Sequence, residues 1–190
     1  MLFVADARTG LEQETAWAAE GLAALVAHDP GAWQALFESY YDKMYRFAYV
    51  RTGDASAAEE IAAEVFVAAA RGVARYRDTG APFASWLYRI ARNLTADHLD
   101  RRRRRPVVAL DTVEISVGGW DGSVDTAADI AKALSELTKE QQEVLVLRFF
   151  SDCSLEETAG AMGKKVGAIK VLQHRALAAM KRNLTTGGRT

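Results

Sequence analysis

The sequence has little of what builds disulfide frameworks, thiolate metal sites or membrane spans. It contains one cysteine, Cys153, and three prolines in 190 residues. This excludes a disulfide framework and a zinc site built from cysteines. No apolar run approaches the roughly 18 residues of a membrane span, and the segment Met1 to Ala7 lacks the basic start of a secretory signal. We therefore expect a cytoplasmic protein.

Histidine is equally scarce. The three histidines, His28, His98 and His174, lie far apart, without the spacing of metal ligands. No serine, cysteine or carboxylate accompanies them in a recognisable catalytic pattern. We expect no metal, no cofactor and no enzymatic activity.

The formal net charge of −1 conceals an alternation along the chain. Residues 1–70 carry 4 basic and 11 acidic side chains, whereas residues 71–105 carry 10 and 3. The sign then changes again, with 2 basic and 8 acidic side chains in residues 106–147 and 8 and 3 in residues 148–190. The basic blocks would attract a polyanion and the acidic blocks a basic protein surface, although ordinary solvated helix faces would give a similar count.

Apolar residues recur at helical spacing through most of the chain, and strand-like alternation is confined to residues 113–117. The pattern predicts helices over about residues 31–50 and 56–76. Pro82 breaks the pattern after a loop, and a third helix runs from about residue 83 to five consecutive arginines. The fold class expected is all-α.

The composition changes to Val, Asp, Gly and Thr after Pro106, and helical spacing returns near residue 130. The interval is interpreted as a linker between two small helical domains, or as a short hairpin packed on the first domain. Thr138 followed by Gln141 matches a capping box. The predicted organisation is an extension over 1–20, a first domain over 21–105, a linker over 106–129, a second domain over 130–182 and a tail over 183–190.

The last two helices have the spacing of a helix-turn-helix. Ala159 allows two helices to approach, Gly163 suits the tight turn, and Ile169 with Leu172 should face inward. The second of these helices is predicted over about residues 166–178.

Aromatic, amide and arginine side chains interleave in and before the third helix. Such a surface can grip phosphates and stack on or hydrogen-bond exposed bases. Core packing of Trp86 and complementation of the helix dipole are the simpler explanations, but five arginines exceed what the dipole requires. The constellation comprises Phe83, Trp86, Tyr88, Arg89, Arg92, Asn93, Asp97, Arg101, Arg102, Arg103, Arg104 and Arg105.

At these residues the sequence resembles a known family. The stretch PFASWLYRIARNLTADHLDRRRRR resembles the second conserved region of bacterial sigma factors of the extracytoplasmic-function (ECF) group, and GDASAAEEIAAEVFVAAARGVARYR resembles the polymerase-binding segment of that group. The stretch TKEQQEVLVLRFFSDCSLEETAGAMGKKVGAIKVLQHRALAAM resembles their fourth region. The two regions occur in the correct order and are joined by a linker.

The resemblance implies three sets of contacts. Core RNA polymerase would be met or supported by Asp54, Glu59, Glu60, Glu64 and Phe66. The minus-ten promoter element would be read by a base-flipping loop starting at Arg75, Tyr76 and Arg77, together with the residues of the constellation above other than Tyr88. The minus-thirty-five element would be met by Lys164, Lys165, Lys170, Gln173, His174 and Arg175, with polar side chains at base edges and lysines on phosphates.

The resemblance thus implies a sigma factor that brings core polymerase to promoter DNA and assists melting, and an anti-sigma protein is a partner whose existence the sequence leaves open. A free-standing helix-turn-helix regulator and a purely protein-binding module remain as alternatives. The acidic second helix and the aromatic, arginine-rich third helix favour the sigma factor.

Overall fold

A computed structural model describes residues 19–104 and 124–187, and every regular element in those ranges is helical. The predicted all-α class is confirmed. The elements, in chain order, are α1 (Ala19–Val26), α2 (Pro30–Thr52), α3 (Ala55–Gly72), a 3-10 turn (Val73–Arg75), α4 (Phe83–Arg104), α5 (Val124–Ser135), α6 (Lys139–Leu145), a π turn (Val146–Phe150), α7 (Leu155–Met162) and α8 (Val166–Gly187).

The long helices of the first unit begin and end at side chains suited to those places. The Asp29 carboxylate accepts a hydrogen bond from the Ala32 N–H at 2.8 Å, and Pro30 occupies the first turn of α2, where its missing N–H costs nothing. Gly53 ends α2 with φ +64°, a left-handed conformation that glycine adopts without steric cost.

Helices α2, α3 and α4 pack into one bundle, and α1 packs against α2. The apolar stripes of these helices supply its core. Leu36, Met44, Phe47, Val65 and Leu87 are fully buried there. The bundle thus fixes the outward-facing residues of α3 and α4 on a rigid support.

The second unit is built by α5 to α8. The predicted capping box is confirmed: Thr138 and Gln141 satisfy each other's backbone N–H groups at the start of α6. Ser154 and Glu157 form a second box at α7. Gly163 closes α7 with φ +64°, as the tight turn of a helix-turn-helix requires.

Three local expectations are corrected. The helix predicted over 56–76 ends at Gly72 and continues only as a 3-10 turn. Helix α5 begins at Val124, inside the interval assigned to the linker, because its alanine-rich sequence favours a helix. Phe149 follows Leu145 at helical spacing in the sequence, which predicts burial, but it lies in the π turn and is 51% exposed.

The two units touch. Helix α4 of the first packs along α7 of the second, and α2 contacts the π turn. None of the helices in residues 19–104 and 124–187 combines the length and apolar character needed to cross a bilayer.

Candidate nucleic-acid and protein interfaces

One face of α3 carries three solvent-exposed carboxylates, those of Glu59, Glu60 and Glu64, which we name the acidic α3 face. The Glu64 Oε1 lies 3.8 Å from the Arg71 Nη1, and the side chains of Glu64 and Arg71 are 47% and 76% exposed, respectively. An ion pair so accessible to water contributes little to stability. The three carboxylates therefore stay available to a basic partner surface.

Two further residues expected at this face support it from within. The Asp54 carboxylate accepts a hydrogen bond from the Ala57 N–H at 3.0 Å and so caps α3. The ring of Phe66 is buried and packs against Phe37 and Tyr41, with centroid distances of 4.9 and 6.4 Å. Asp54 and Phe66 thus fix where α3 starts and how it sits on α2.

A groove of about 580 Å³ runs between the acidic α3 face and the arginine-rich end of α4. Carboxylates from both helices and guanidinium groups from α4 line it, so opposite charges face each other across the groove. The lining residues are Glu60, Glu64, Leu94, Asp97, Asp100, Arg101 and Arg104.

Three aromatic rings cluster where the loop between α3 and α4 meets α4. The centroids of Tyr76, Phe83 and Trp86 lie 5.2 to 5.4 Å apart in tilted or edge-on geometry. Phe83 is buried and supports the half-buried Tyr76 and Trp86. Burial raises the pKa of the Tyr76 hydroxyl, so the ring is neutral at physiological pH. Gly72 lies under the indole, where an added Cβ would come within 3.3 Å of it.

The outward face of α4 presents Arg89, Asn93 and Asp97 to solvent, one helical turn apart. Arg92 behaves differently, because its Nε lies 2.5 Å from the carboxylate of Glu143 in α6. Arg92, which was expected at the minus-ten element, is thus engaged by the second unit.

The arginines at the end of α4 differ in the contacts that they make. Arg102 donates to the Thr52 carbonyl at 3.3 Å and so helps satisfy the C-terminal end of α2. Arg101 donates to the Asp97 carbonyl at 3.3 Å. The described arginines of the run are exposed, as are Arg75 and Arg77 on either side of Tyr76, while Arg105 lies outside the described residues.

Helix α8 is oriented by its buried side. Ile169 is fully buried, as predicted. Lys165, Lys170, His174 and Arg175 point to solvent. These side chains form a polar and basic surface along the N-terminal half of α8.

Lys164 and Gln173, the other two residues expected at the minus-thirty-five element, have partners within the second unit. Lys164 forms an ion pair with Glu140 at 2.9 Å. Arg148 donates from Nε to the Gln173 Oε1 at 3.1 Å, and its guanidinium also contacts the Cys153 carbonyl. Arg148 thus connects α8 to the segment after the π turn.

The alternating charge of the sequence predicts that the free protein folds on itself, but it does not identify the residues that make the contact between the two units. The contact is made by Ser85, Tyr88, Glu143 and Gly160. The one available signal was Glu143, an acidic residue beside the apolar run Val144 to Leu147. A charge so placed is buried and therefore needs a partner.

Two family models match successive parts of the chain. Sigma-70 region 2 matches residues 36–105, which contain α3, α4 and most of α2. Sigma-70, region 4 matches residues 127–180, which contain α6, α7 and most of α8.

Curated relatives match across both regions. The chain is 37% identical over 169 residues to the ECF RNA polymerase sigma factor BldN of Streptomyces coelicolor, covering 86% of this chain and 64% of BldN. It is 32% identical over 177 residues to the ECF RNA polymerase sigma factor SigD of Mycobacterium tuberculosis, covering 88% of this chain and 84% of SigD. The chain belongs to the ECF RNA polymerase sigma factors.

Solved structures of sigma factors share the fold. CnrH, determined in complex with the cytosolic domain of CnrY, superposes with a TM-score of 0.65 at 20% identity, covering 87% of this sigma factor and 96% of CnrH. The sigma factor RpoE of Bartonella quintana, determined with the anti-sigma factor NepR, gives 0.61 at 21% identity, covering 80% and 96%. Sigma factors are transcription initiation factors rather than enzymes.

Proposed function

We propose that this sigma factor brings core RNA polymerase to promoters through three separate surfaces and has no catalytic step of its own. The acidic α3 face binds the polymerase. The loop residues Arg75, Tyr76 and Arg77, with the exposed face of α4, bind and open the minus-ten element. The basic surface of α8 binds the minus-thirty-five element.

The observation that carries the proposal is the separation of charge within the first unit. The acidic α3 face points to solvent, while Arg89 and Asn93 of α4 point outward beside an aromatic cluster. A protein that only binds duplex DNA has no use for an exposed acidic helix, because it would repel phosphate. An initiation factor needs both surfaces.

Single-stranded promoter DNA suits the aromatic cluster. Tyr76 and Trp86 are half-buried, so each ring keeps an accessible part for a base while Phe83 holds it in place. Stacking of one base on such a ring contributes about 1–3 kcal/mol. Arg75 and Arg77 flank Tyr76 and would hold the phosphates of the same strand.

We place the first domain at residues 21–105 and the second at 130–182, extended toward the start of α5 at Val124. Both act in the cytoplasm, where promoter DNA and polymerase are found. An anti-sigma protein would be a further partner, as NepR is for the Bartonella RpoE.

Run-off transcription tests the function. Sigma-free core polymerase of the source bacterium is mixed with the purified protein and fragmented genomic DNA, and DNA binding by the protein alone is measured in parallel. Specific transcripts that require the protein are expected. Duplex binding without transcripts would instead indicate a free-standing regulator.

A charge reversal tests the docking surface. The double variant Glu59→Lys, Glu60→Lys should abolish holoenzyme formation and leave the circular dichroism spectrum unchanged, because both side chains are exposed. Reversal of the exposed Glu136, which follows α5, is the control and should leave holoenzyme formation intact. Holoenzyme formed equally well by the double variant would remove the acidic α3 face from the proposal.

A further inference from the structure

One apolar side chain lies near the middle of the solvent face of α8. Val171 is 51% exposed, although valine is among the residues most often buried in folded proteins. Ile169 and Ala176, which are fully buried, lie about 160° and 140° around the helix axis from it. Val171 therefore points away from the core of the second unit.

The turn of α8 that precedes Val171 leaves this side chain uncovered. In a helix, a side chain leans toward the N-terminus, over the residues three and four positions earlier. For Val171 these residues are Ala168 and Gly167. A Cβ added at Gly167 would meet nothing within 4 Å. The two small residues thus leave room for another surface to approach the isopropyl group closely.

The side chains around Val171 are basic. Helix α8 contains no aspartate or glutamate, and the exposed Lys170 and Arg175 lie on either side of Val171. Cations placed in this way attract a polyanion and hold its phosphates. The partner that fits this face is therefore a polyanion that also presents an apolar group at its surface.

Val171 also lies where the second helix of a helix-turn-helix meets bases. It is the sixth residue of α8, about 8 Å along the axis from the first. Helices in this position contact base edges in the major groove with their N-terminal residues. Thymine alone among the four bases presents a methyl group there, and an apolar side chain recognises that group by contact.

The stability of the helix does not explain a valine at this position. Its branched Cβ lowers helix propensity relative to alanine, and half of its surface stays in water, so burial within the chain stabilises it little. The same branching confines valine in a helix to essentially one rotamer. Contact with DNA would therefore cost little side-chain entropy.

We propose that Val171 is a specificity-determining residue of this sigma factor, which packs against the C5-methyl group of a thymine in the major groove of the minus-thirty-five element. The inference rests on the function proposed above, because α8 must lie in that groove. It adds to that function a contact that distinguishes thymine from the other three bases without a hydrogen bond.

Deoxyuridine tests the contact, because it differs from thymidine only in lacking the C5 methyl group. The equilibrium affinity of the holoenzyme is measured for a duplex promoter fragment identified by run-off transcription. Each thymine of the minus-thirty-five element, on either strand, is replaced by deoxyuridine in turn. At one of these positions the wild-type holoenzyme should bind about fourfold more weakly, as expected when one methyl group is withdrawn from apolar contact.

A serine variant assigns the lost methyl contact to Val171. Val171→Ser removes the isopropyl group and changes helix propensity little, because serine and valine rank together. This variant should bind the thymidine and deoxyuridine duplexes equally well. Leu177→Ser is the matched control, since Leu177 is 42% exposed on the same helix but lies about 120° around its axis from Val171. The control should retain the difference between the two duplexes.

The comparison on wild-type protein does not depend on the folding of a variant. Equal affinities of the wild-type holoenzyme for the thymidine duplex and every deoxyuridine duplex would overturn the inference, while the transcripts would leave the proposed function standing. A loss that persists in Val171→Ser would assign the methyl group to another side chain and would also overturn it.

The test separates this inference from the proposed function in the other direction as well. If no transcripts form, the same replacements are made in the duplex that the protein alone binds most tightly. A loss at one thymine that disappears in Val171→Ser would then support the thymine contact and reject the sigma-factor function. If Val171→Ser instead impairs holoenzyme formation and no deoxyuridine changes the affinity, the side chain contacts protein and the inference is wrong.

Discussion

The hydroxyl of Tyr88 donates a hydrogen bond of 3.0 Å to the backbone carbonyl of Ser151, 63 residues further along the chain. Both residues are 1% exposed. A bond buried this deeply is shielded from water, so loss of the donor leaves a carbonyl that water cannot readily satisfy. The pair therefore joins the middle of α4 to the end of the π turn.

Removal of this hydroxyl is expected to weaken the contact between the domains. Tyr88→Phe keeps the ring and leaves the Ser151 carbonyl without this donor, which should cost about 1–3 kcal/mol. Urea unfolding measures the loss. Tyr45→Phe, on a half-buried ring that stacks on Tyr49, is the control. Equal unfolding midpoints for Tyr88→Phe and wild type would show that the bond does not contribute.

The contribution of Glu143 to the stability of the protein should change with pH in one direction. Burial raises the pKa of its carboxyl above the ordinary 4.5, and nearby Glu140 adds to this, while Arg92, Arg51 and Lys164 act in the opposite direction without cancelling it. The folded protein therefore binds this proton more tightly than the unfolded chain. The contribution of Glu143 to stability rises as the pH falls from neutrality toward 4.5.

Glu143→Gln isolates that contribution, because glutamine is neutral at every pH. The difference in unfolding free energy, wild type minus Glu143→Gln, should increase between pH 7 and pH 5. Urea unfolding of both proteins at the two pH values measures it. A difference that falls with acidification would mean that the ion pair with Arg92 outweighs burial.

The cap of α7 should contribute measurably to stability. Ser154→Ala removes the acceptor of the Glu157 N–H and one half of the capping box, at an expected cost of about 1 kcal/mol. Ser135→Ala, at an exposed serine near the end of α5, should change stability by less than about 0.5 kcal/mol. Thermal unfolding of both variants distinguishes the two effects. Equal shifts in their melting temperatures would show that the cap does not contribute to stability.

The salt dependence of DNA binding tests the role proposed for Lys170 on α8. If Lys170 contacts a phosphate, Lys170→Ala should lower the slope of log affinity against log salt by about 1 for holoenzyme on its promoter. Lys181→Ala, at another exposed lysine three turns further along α8, should leave the slope unchanged. An equal fall in the slope for both variants would show that the positive charge of the whole helix attracts the DNA, rather than a phosphate contact of Lys170.

Local signals in the sequence predicted most of each domain. Thr138 with Gln141, Gly163 and Ile169 depend on interactions within a few residues or on one helical period, and all lie as expected. The exposure of the acidic α3 face also followed from periodicity. Its role in polymerase binding stays a prediction.

The contact between the domains could not be predicted in the same way. Ser85 and Gly160 are small residues that fit many environments, and only their juxtaposition across 75 positions of sequence shows why neither can be larger. Tyr88 belonged to a surface expected to face nucleic acid, yet it is buried against Ser151. Long-range pairing of this kind leaves no periodic trace in one sequence.

The hydrogen bond from Arg148 to Gln173 limits what Gln173 can read. A glutamine recognises adenine by using its carbonyl oxygen and its amide group together. Here the oxygen already accepts one hydrogen bond from the guanidinium at 3.1 Å, so one of its two lone pairs and both amide hydrogens remain for a base. The guanidinium also fixes the direction in which the amide group points, so the base chosen at that position would depend on an arginine 25 residues away.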